Sequence, residues 1–391
     1  MTPGARVAAA IGILDTLLDG APAERVLTTW ARRNRYAGSG DRAAIRDHVF
    51  DALRQLASAS ALGGDAPGER TGRGVMLGLL RAQSHDLDTL FAGGKYDPAP
   101  LSDAERATPP QIDPLTALDC PEWLAPPLRA ALGDSFGPVM QAMQVRAPLF
   151  LRVNLRKATL ESAVSALSDE DIATRPGPLS DTALEVMENP RRVQISAAYR
   201  DGWVEVQDAA SQAAVDALPA KDGQRVLDLC AGGGGKTLAL AGRCDGQFFV
   251  HDTDPARMSD LPARAERAAV AVTALSTAEL DEAEPFDLVI ADVPCSGSGA
   301  WRRSPQGKWA LTEQSLADFC TVQGQILRRA ATLVNDQGAL AYFTCSMLPA
   351  ENADQIASFV ADFPQWRVET CRSLTPLDGG DGFFLAILRR I

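Results

Sequence analysis

The sequence is short of the patterns that mark several common protein classes. It has seven cysteines, an odd number, and no two of them stand as C-x-x-C. Its three histidines, His48, His85 and His251, lie far apart. A disulfide framework and a zinc site both need ligands at set spacings, so neither is signalled and no metal is expected. No apolar run is long enough for a transmembrane helix. Met1-Thr-Pro-Gly-Ala-Arg6 is not followed by the apolar core of a signal peptide. A cytoplasmic chain is expected, in which each thiol is either core filling or chemistry. Basic residues are also in deficit. Lys and Arg number 38 against 50 Asp and Glu, a formal charge of −12. That balance argues against a non-specific nucleic-acid binder, because phosphate contacts need cations.

What is present is a globular chain of 391 residues with 46% hydrophobic residues, long enough for two or three domains. Val7, Ile11, Leu14, Leu17 and Leu18 recur at helical spacing, as do Ile45, Val49, Leu53 and Leu56. Asp41 can cap the second of these helices, after the Gly38-Ser-Gly break. Residues 63–68 read as a loop, and 75–140 as helices with Pro-rich interruptions. Residues 1–140 are therefore expected to be an all-helical domain. Near 148 the pattern changes. Leu149-Phe-Leu-Arg-Val-Asn, Val193-Gln-Ile and Trp203-Val-Glu-Val look like strands, and Leu160 to Leu167 looks like a helix. Residues 145–210 are expected to be a small α+β unit. From 211 to 391, short apolar strands alternate with helical stretches, which predicts a doubly wound, mostly parallel α/β sheet of Rossmann-like type.

Basic residues gather locally despite the overall charge. Arg32, Arg33, Arg35, Arg42 and Arg46 form one cluster, and Arg146, Arg152, Arg156 and Lys157 a second. Arg302, Arg303 and Lys308, flanked by Trp301 and Trp309, form a third. Each would serve equally as solvated surface.

Val226-Leu-Asp-Leu-Cys-Ala-Gly-Gly-Gly-Gly-Lys-Thr237 reads as strand, glycine loop and helix. It is neither a P-loop, since Cys230 stands at the first required glycine, nor G-x-G-x-x-G, since Thr237 stands at the third. Asp228 would repel pyrophosphate and suits a ligand carrying an ammonium group, such as the methionine part of S-adenosylmethionine. A tight structural turn would use the same glycines. Asp252, at the end of the next strand, can accept two ribose hydroxyls, with Asp254 a competitor. Cys295 follows the strand ending at Asp292, and Cys345 the strand ending at Phe343. Carboxyl ends of parallel strands line the ligand crevice, so both thiols, Asp292 and the glycine loop are expected at one cleft. Either cysteine alone would pass for core filling. Two together fit one thiol attacking and another assisting.

At these residues the sequence resembles the RsmB/Nop/Sun family of RNA cytosine-5 methyltransferases. The resemblance rests on Gln207-Asp-Ala-Ala-Ser-Gln212, Asp228-Leu-Cys-Ala-Gly-Gly-Gly-Gly-Lys236, Asp292-Val-Pro-Cys-Ser-Gly-Ser-Gly299, Arg302-Arg-Ser-Pro-Gln-Gly-Lys-Trp309, Thr344-Cys-Ser346 and Gly380-Asp-Gly-Phe-Phe384. It covers about 145 to 391. Gly40-Asp-Arg-Ala-Ala-Ile45 and Val49-Phe-Asp-Ala-Leu-Arg54 resemble, more faintly, a NusB-like RNA-binding domain. The resemblance implies S-adenosylmethionine as cofactor, held by Asp228, Cys230, Ala231, Gly232, Gly233, Gly234, Gly235, Lys236, Asp252, Arg257, Asp292 and Pro294. It makes Cys345 the nucleophile at cytosine C6, Asp292 the acid near N3, Cys295 the thiol that resolves the adduct, and Lys236 an organising lysine. Cys345 is expected to have a depressed pKa, with Lys236 the nearest cause. Gly233 stands where the family commonly has proline, which predicts a looser loop. RNA is the implied partner, rRNA of the small subunit first and tRNA second, bound by a monomer through Arg32, Arg33, Arg35, Arg152, Arg302, Arg303 and Lys308. The target base must be unstacked. A decayed enzyme serving as an RNA-binding assembly protein is the competing reading. A DNA cytosine methyltransferase would attack with Cys295 and leave Cys345 idle.

Overall fold

The structure, a computed structural model, describes residues 1–66, 68–107 and 111–391. Pro67 of the expected 63–68 loop, and residues 108–110 of the Pro-rich stretch, lie outside the described residues. The chain forms two compact units, Met1–Arg146 with Trp301–Ala310, and Ala147–Ala300 with Leu311–Ile391. None of the described helices is long and apolar enough to cross a membrane.

The described part of the first unit is helical. Its longer helices are Pro3–Leu18, Ala23–Arg33, Ser39–Arg54, Leu56–Gly63 and Gly72–Ala82. The apolar stripes read from sequence meet in one core, where Val7, Leu14, Leu17, Ile45, Val49, Leu53, Val75 and Leu79 are buried. Thr2 caps the first helix by accepting the Ala5 N–H at 3.1 Å, and Pro3 occupies the first turn, where its missing N–H costs nothing. Asp41 does not sit at the cap position expected for it. Gly38 does, and Asp41 lies inside the first turn, accepting the Gly38 N–H at 3.2 Å. Its carboxylate also pairs with the amino terminus of Met1 and with Arg6, so its place is fixed by charge as much as by capping.

The segment Trp301–Ala310 lies in the middle of the α/β sequence but belongs to this helical unit. Arg54 Nε donates to the Arg302 carbonyl at 2.7 Å and Trp309 Nε1 to the Leu53 carbonyl at 2.7 Å. Gln306 accepts the Ala23 N–H at 2.9 Å and donates to the Ala21 carbonyl at 2.8 Å. Trp301 and Lys308 are fully buried there.

The second unit holds two sheets. Strands β1 (Leu149–Val153), β2 (Thr174–Pro176), β3 (Ala183–Val186) and β4 (Val204–Val206) form an antiparallel sheet in the order β2-β3-β1-β4. The Leu160–Ser168 helix packs into its core through Ala163 and Leu167. Val193-Gln-Ile is not the strand expected from its apolar alternation. Pro190 opens a short 3-10 turn, Pro190–Ile195, after Asn189 takes the left-handed conformation at φ 55°; Val193 is buried without a strand partner.

The larger sheet has seven strands: β5 (Gln224–Asp228), β6 (Gly246–Val250), β7 (Val272–Ala274), β8 (Phe286–Asp292), β9 (Val334–Thr344), β10 (Trp366–Leu374) and β11 (Phe383–Arg390). Their order is β10-β11-β9-β8-β5-β6-β7. The pairs β5–β6, β6–β7, β5–β8 and β8–β9 are parallel, and β11 joins β9 and β10 antiparallel. This is a Rossmann-like, mostly parallel sheet. Alternate residues feed different cores: Leu227, Val289 and Leu340 face one, and Val226, Leu288 and Ile290 the other. Both faces are covered, so these strands read as unbroken apolar runs. From β5 the chain winds to β6 on one side and later to β8 on the other. The crevice at this reversal lies beyond the carboxyl ends of the strands.

Candidate functional site

Four strand ends bring the chemistry to that crevice. Asp228 closes β5, Asp252 lies two residues past β6, Asp292 closes β8, and Cys345 follows β9 directly.

The glycine loop after β5 is held by backbone bonds. Ala231 N–H donates to the His251 carbonyl at 2.9 Å and Gly234 N–H to the Ala231 carbonyl at 2.8 Å. Gly234 has φ +73°, and a Cβ there would lie 2.3 Å from Leu261 Cδ1, so a side chain at this position would be strained and would have to displace Leu261. The looser loop expected at Gly233 is not found. Arg264 Nη1 donates to the Gly233 carbonyl at 2.6 Å, and a Cβ on Gly233 would lie 2.3 Å from that nitrogen. The guanidinium fills the space a side chain would take and ties the loop down.

The polar groups beside the loop fit a ligand with an ammonium group and hydroxyls. Asp228 is buried, and its Oδ2 accepts from Thr237 Oγ1 at 2.8 Å. Its Oδ1 is buried with no hydrogen-bond partner among the described residues. Burial, opposed mainly by the Thr237 hydrogen bond, pushes this carboxyl up to about 6. A buried acceptor without a donor is costly, and an ammonium would supply both donor and charge. Asp252 is also buried; its Oδ2 accepts the Gly232 N–H at 3.1 Å and pairs with Arg257 Nη1 at 3.2 Å. Asp254, the competitor, is exposed and caps the following turn by accepting the Ala256 N–H at 3.1 Å. Cys230 is pushed up to about 12, chiefly by burial, and is no nucleophile. Pro294 places its carbonyl 2.9 Å from Gln323 Nε2.

The two thiols meet. Asp292 and Phe343 are cross-strand partners in the parallel β8–β9 pair, so the loops that leave them run side by side. Cys295 Sγ and Cys345 Sγ are 3.4 Å apart. The hydrogen bond from Cys295 holds the Cys345 thiol below its usual range, against burial and the nearby Asp292 charge, with Lys236 helping. The expectation of a depressed Cys345 stands in direction, but Cys295 rather than Lys236 is the leading cause. Cys295 is pushed well above the usual range by the same hydrogen bond, by burial and by charge on Cys345. Of the two thiols, Cys345 is thus the more acidic. Lys236 forms an ion pair with Asp292, and its Nζ lies 5.5 Å from the Phe383 ring centroid. Burial works against the lysine's charge, but the Asp292 charge and hydrogen bond outweigh it and raise its pKa, so it stays an ammonium. Gly299 N–H donates to the Cys345 carbonyl at 2.9 Å, a further tie between the loops. Among the described residues no group of three or more His, Cys, Asp or Glu could hold a metal.

The basic residues divide. Arg32, Arg33 and Arg35 are exposed on the helical unit. Arg152 is not on a surface: it is buried in β1, pushed down to about 10 by burial, and donates to Gln207 Oε1 at 2.6 Å and the Gly235 carbonyl at 2.9 Å. Its charge steadies the glycine loop from behind. Arg302 and Lys308 are likewise buried, and Lys308 donates to the Arg54 carbonyl at 3.2 Å. Burial pushes Lys308 down to about 8. Neither offers a phosphate contact; Arg303 is half-buried. Sequence patterns count these residues as charge clusters because spacing carries no information about depth. Thr237, Arg264 and Glu351 were missed. Thr237 enters the sequence reading only as the residue standing at a required glycine, and no motif marks Arg264 or Glu351.

Residues 215–389 match the family model described as 16S rRNA methyltransferase RsmB/F, and residues 120–194 match that of a ferredoxin-like domain of RsmF/B-like methyltransferases. A protein named ribosomal RNA small subunit methyltransferase B, from Yersinia pestis bv. Antiqua (strain Angola), is 31% identical over 280 residues, covering 68% of this chain and 65% of its own length. The match thus spans just under two thirds of that relative. The crystal structure of PH0851 superposes with a TM-score of 0.76 over 100% of this chain and 99% of that one, at 22% identity. A methyltransferase homologue from Pyrococcus horikoshii does so with a TM-score of 0.62 over 72% and 98%, at 24% identity. At such identities these two likenesses speak to the fold. With the sequence motifs, the family matches and the fold in agreement, the chain belongs to the RsmB/F family of methyltransferases, whose cofactor is S-adenosylmethionine.

Proposed function

We propose that this chain forms 5-methylcytosine in RNA, and that its target is small-subunit rRNA, the class named for its relatives. The observation that carries the chemistry is the pair of thiols 3.4 Å apart, of which Cys345 is the more acidic. Carbon 5 of cytosine is a poor nucleophile. The Cys345 thiolate adds to C6, and the ring's electrons move toward C5 and N3, which makes C5 enamine-like. In this reading Asp292, taking a proton from the Lys236 ammonium it pairs with, would hydrogen-bond to the base at N3 and steady that charge. Bound S-adenosylmethionine supplies an electrophilic methyl group. Asp228 would hold its ammonium group, Gly232 to Gly235 its backbone approach, and Asp252 its ribose hydroxyls. Once C5 carries the methyl group, the C5 proton passes to a water molecule, the C5–H electrons re-form the C5=C6 double bond, and the C6–S bond breaks, returning its electrons to Cys345. The Cys295 S–H, within contact of that sulfur, is placed to hydrogen-bond to the departing thiolate.

In this reading residues 1–140 form a NusB-like RNA-binding domain, 145–210 a small RNA-binding subdomain, and 211–391 the catalytic domain of a cytoplasmic monomer. The exposure of Arg32, Arg33 and Arg35 supports an RNA contact in the first. The test is methyl transfer from labelled S-adenosylmethionine to unmodified small-subunit rRNA, with the position read by bisulfite sequencing. Label in cytosine, lost in Cys345→Ala, is expected. Transfer that survives Cys345→Ala overturns the mechanism, and label in tRNA alone moves the target.

A further inference from the structure

We propose that Glu351 is a positioning residue that clamps the Cys295 loop against the Cys345 loop. The proposal rests on the two-thiol reading above. Glu351 is 0% exposed, and its carboxylate is met by neutral hydrogen-bond donors. A buried carboxylate in that position must be held by hydrogen bonds. Four donors reach it, and three come from the residues that directly follow the two cysteines. Ser296 donates through its N–H at 2.8 Å and through its hydroxyl, and Ser346 through its hydroxyl. The fourth is Gln323 Nε2 at 3.0 Å, which also donates to the Pro294 carbonyl, one residue before Cys295.

An ionised carboxylate only accepts, so it sets the direction of every hydroxyl around it. Ser296 and Ser346 must both point their protons at Glu351. Ser346 Oγ, its single proton used, then accepts from Leu348 N–H at 3.0 Å and from Ser298 Oγ at 2.9 Å. Ser298 Oγ in turn accepts the Met347 N–H at 2.8 Å. The network thus crosses between the loops several times with every donor matched. The Glu351 backbone is fixed as well, since Tyr342 OH donates to its carbonyl at 2.7 Å. The neighbouring Asn352 donates to the Ser346 carbonyl at 2.9 Å. An amide in place of the carboxylate would turn donors toward donors, and one crossing would be lost.

The test reads the geometry of the thiols without RNA. Iodoacetamide alkylation of Cys345 is followed against pH by peptide mapping in wild type, Glu351→Gln and Ser296→Ala, with thermal unfolding and S-adenosylmethionine affinity measured alongside. Besides the Cys295 hydrogen bond, the charges that bear on the Cys345 thiol are those of Asp292, Lys236 and Glu351. Loss of the Cys295 hydrogen bond raises the Cys345 pKa, whereas loss of the Glu351 charge alone would lower it, so the two explanations differ in sign. The clamp predicts that both variants move the alkylation profile to higher pH. The rate near neutrality should fall about tenfold for each pH unit moved. Ser296→Ala keeps the charge and removes one strap, so it decides the matter if Glu351→Gln does not fold. A profile that stays put in Ser296→Ala, or moves to lower pH in Glu351→Gln, overturns the clamp. A moved profile in a protein that transfers no methyl group would sink the proposed reaction and leave the clamp standing.

Discussion

Removing the charge at Asp228 should make the empty protein more stable and the enzyme useless. Asp228 is buried, and burial raises its pKa from 3.8 to about 6. A carboxyl raised in the folded state binds more protons there than in the unfolded chain between those two values. Stability therefore falls as pH rises through that window, and the penalty is complete above it. A rise of about two pH units corresponds to about 3 kcal/mol. Asp228→Asn is neutral throughout and keeps an acceptor for Thr237. Its amide nitrogen would lie where Oδ1 has no partner, so an unmet polar group remains and part of the gain is forfeited. The variant should thus be about 1–3 kcal/mol more stable than wild type at pH 7.5 without cofactor, with the difference closing near pH 4. Urea unfolding at a series of pH values measures this, followed through the unit that contains Asp228. Saturating S-adenosylmethionine should reverse the order, because only wild type gains from binding. A variant less stable than wild type at neutral pH, or a difference that ignores pH, refutes the reasoning.

Asp252→Ala should weaken S-adenosylmethionine binding by roughly 1.5–3 kcal/mol, read by isothermal titration, as hydrogen bonds to a charged group are lost. Lys308, lowered from 10.5 to about 8 by burial, penalises the folded helical unit at neutral pH. The unfolded chain binds more protons between those values, so stability should rise with pH across that window. Lys308→Met should be more stable at pH 7 by up to about 3 kcal/mol, shown by chemical unfolding of the helical unit. Replacing Arg32, Arg33 and Arg35 by Gln should weaken RNA binding, flatten its salt dependence and leave cofactor affinity unchanged, as filter binding across a salt series would show.

The catalytic half of the fold was legible because its strands are buried on both faces and its loops carry rare residue types. Apolar runs at β5, β6, β8 and β9 can be little else, and the rule that ligands gather at the carboxyl ends of parallel strands places Asp228, Asp252, Asp292 and Cys345 together before any coordinates are known. Depth was not legible. Arg152, Arg302 and Lys308 look like surface cations in one dimension, yet each is buried, with Arg152 bonded to Gln207 and the Gly235 carbonyl and Lys308 to the Arg54 carbonyl. Nor was long-range exchange of segments, since nothing in Trp301–Ala310 tells that it completes a helical core beside Leu53 and Arg54. Val193 misled because three alternating residues suit a strand or a buried turn equally, and Pro190 decides between them. Glu351 escaped notice for a related reason: its donors lie at 296, 323 and 346, and only the folded loops bring them to one carboxylate.

The central claim is that Cys345 attacks and Cys295 releases. Cys295→Ala, mixed with S-adenosylmethionine and substrate RNA and run on a denaturing gel, tests it most directly. The account predicts a slow band that ribonuclease removes and that the Cys295→Ala/Cys345→Ala double variant lacks, because the first variant can still attack and methylate but stays bonded to its RNA. An adduct that disappears in Cys295→Ala and persists in Cys345→Ala would contradict the account and exchange the roles of the two thiols.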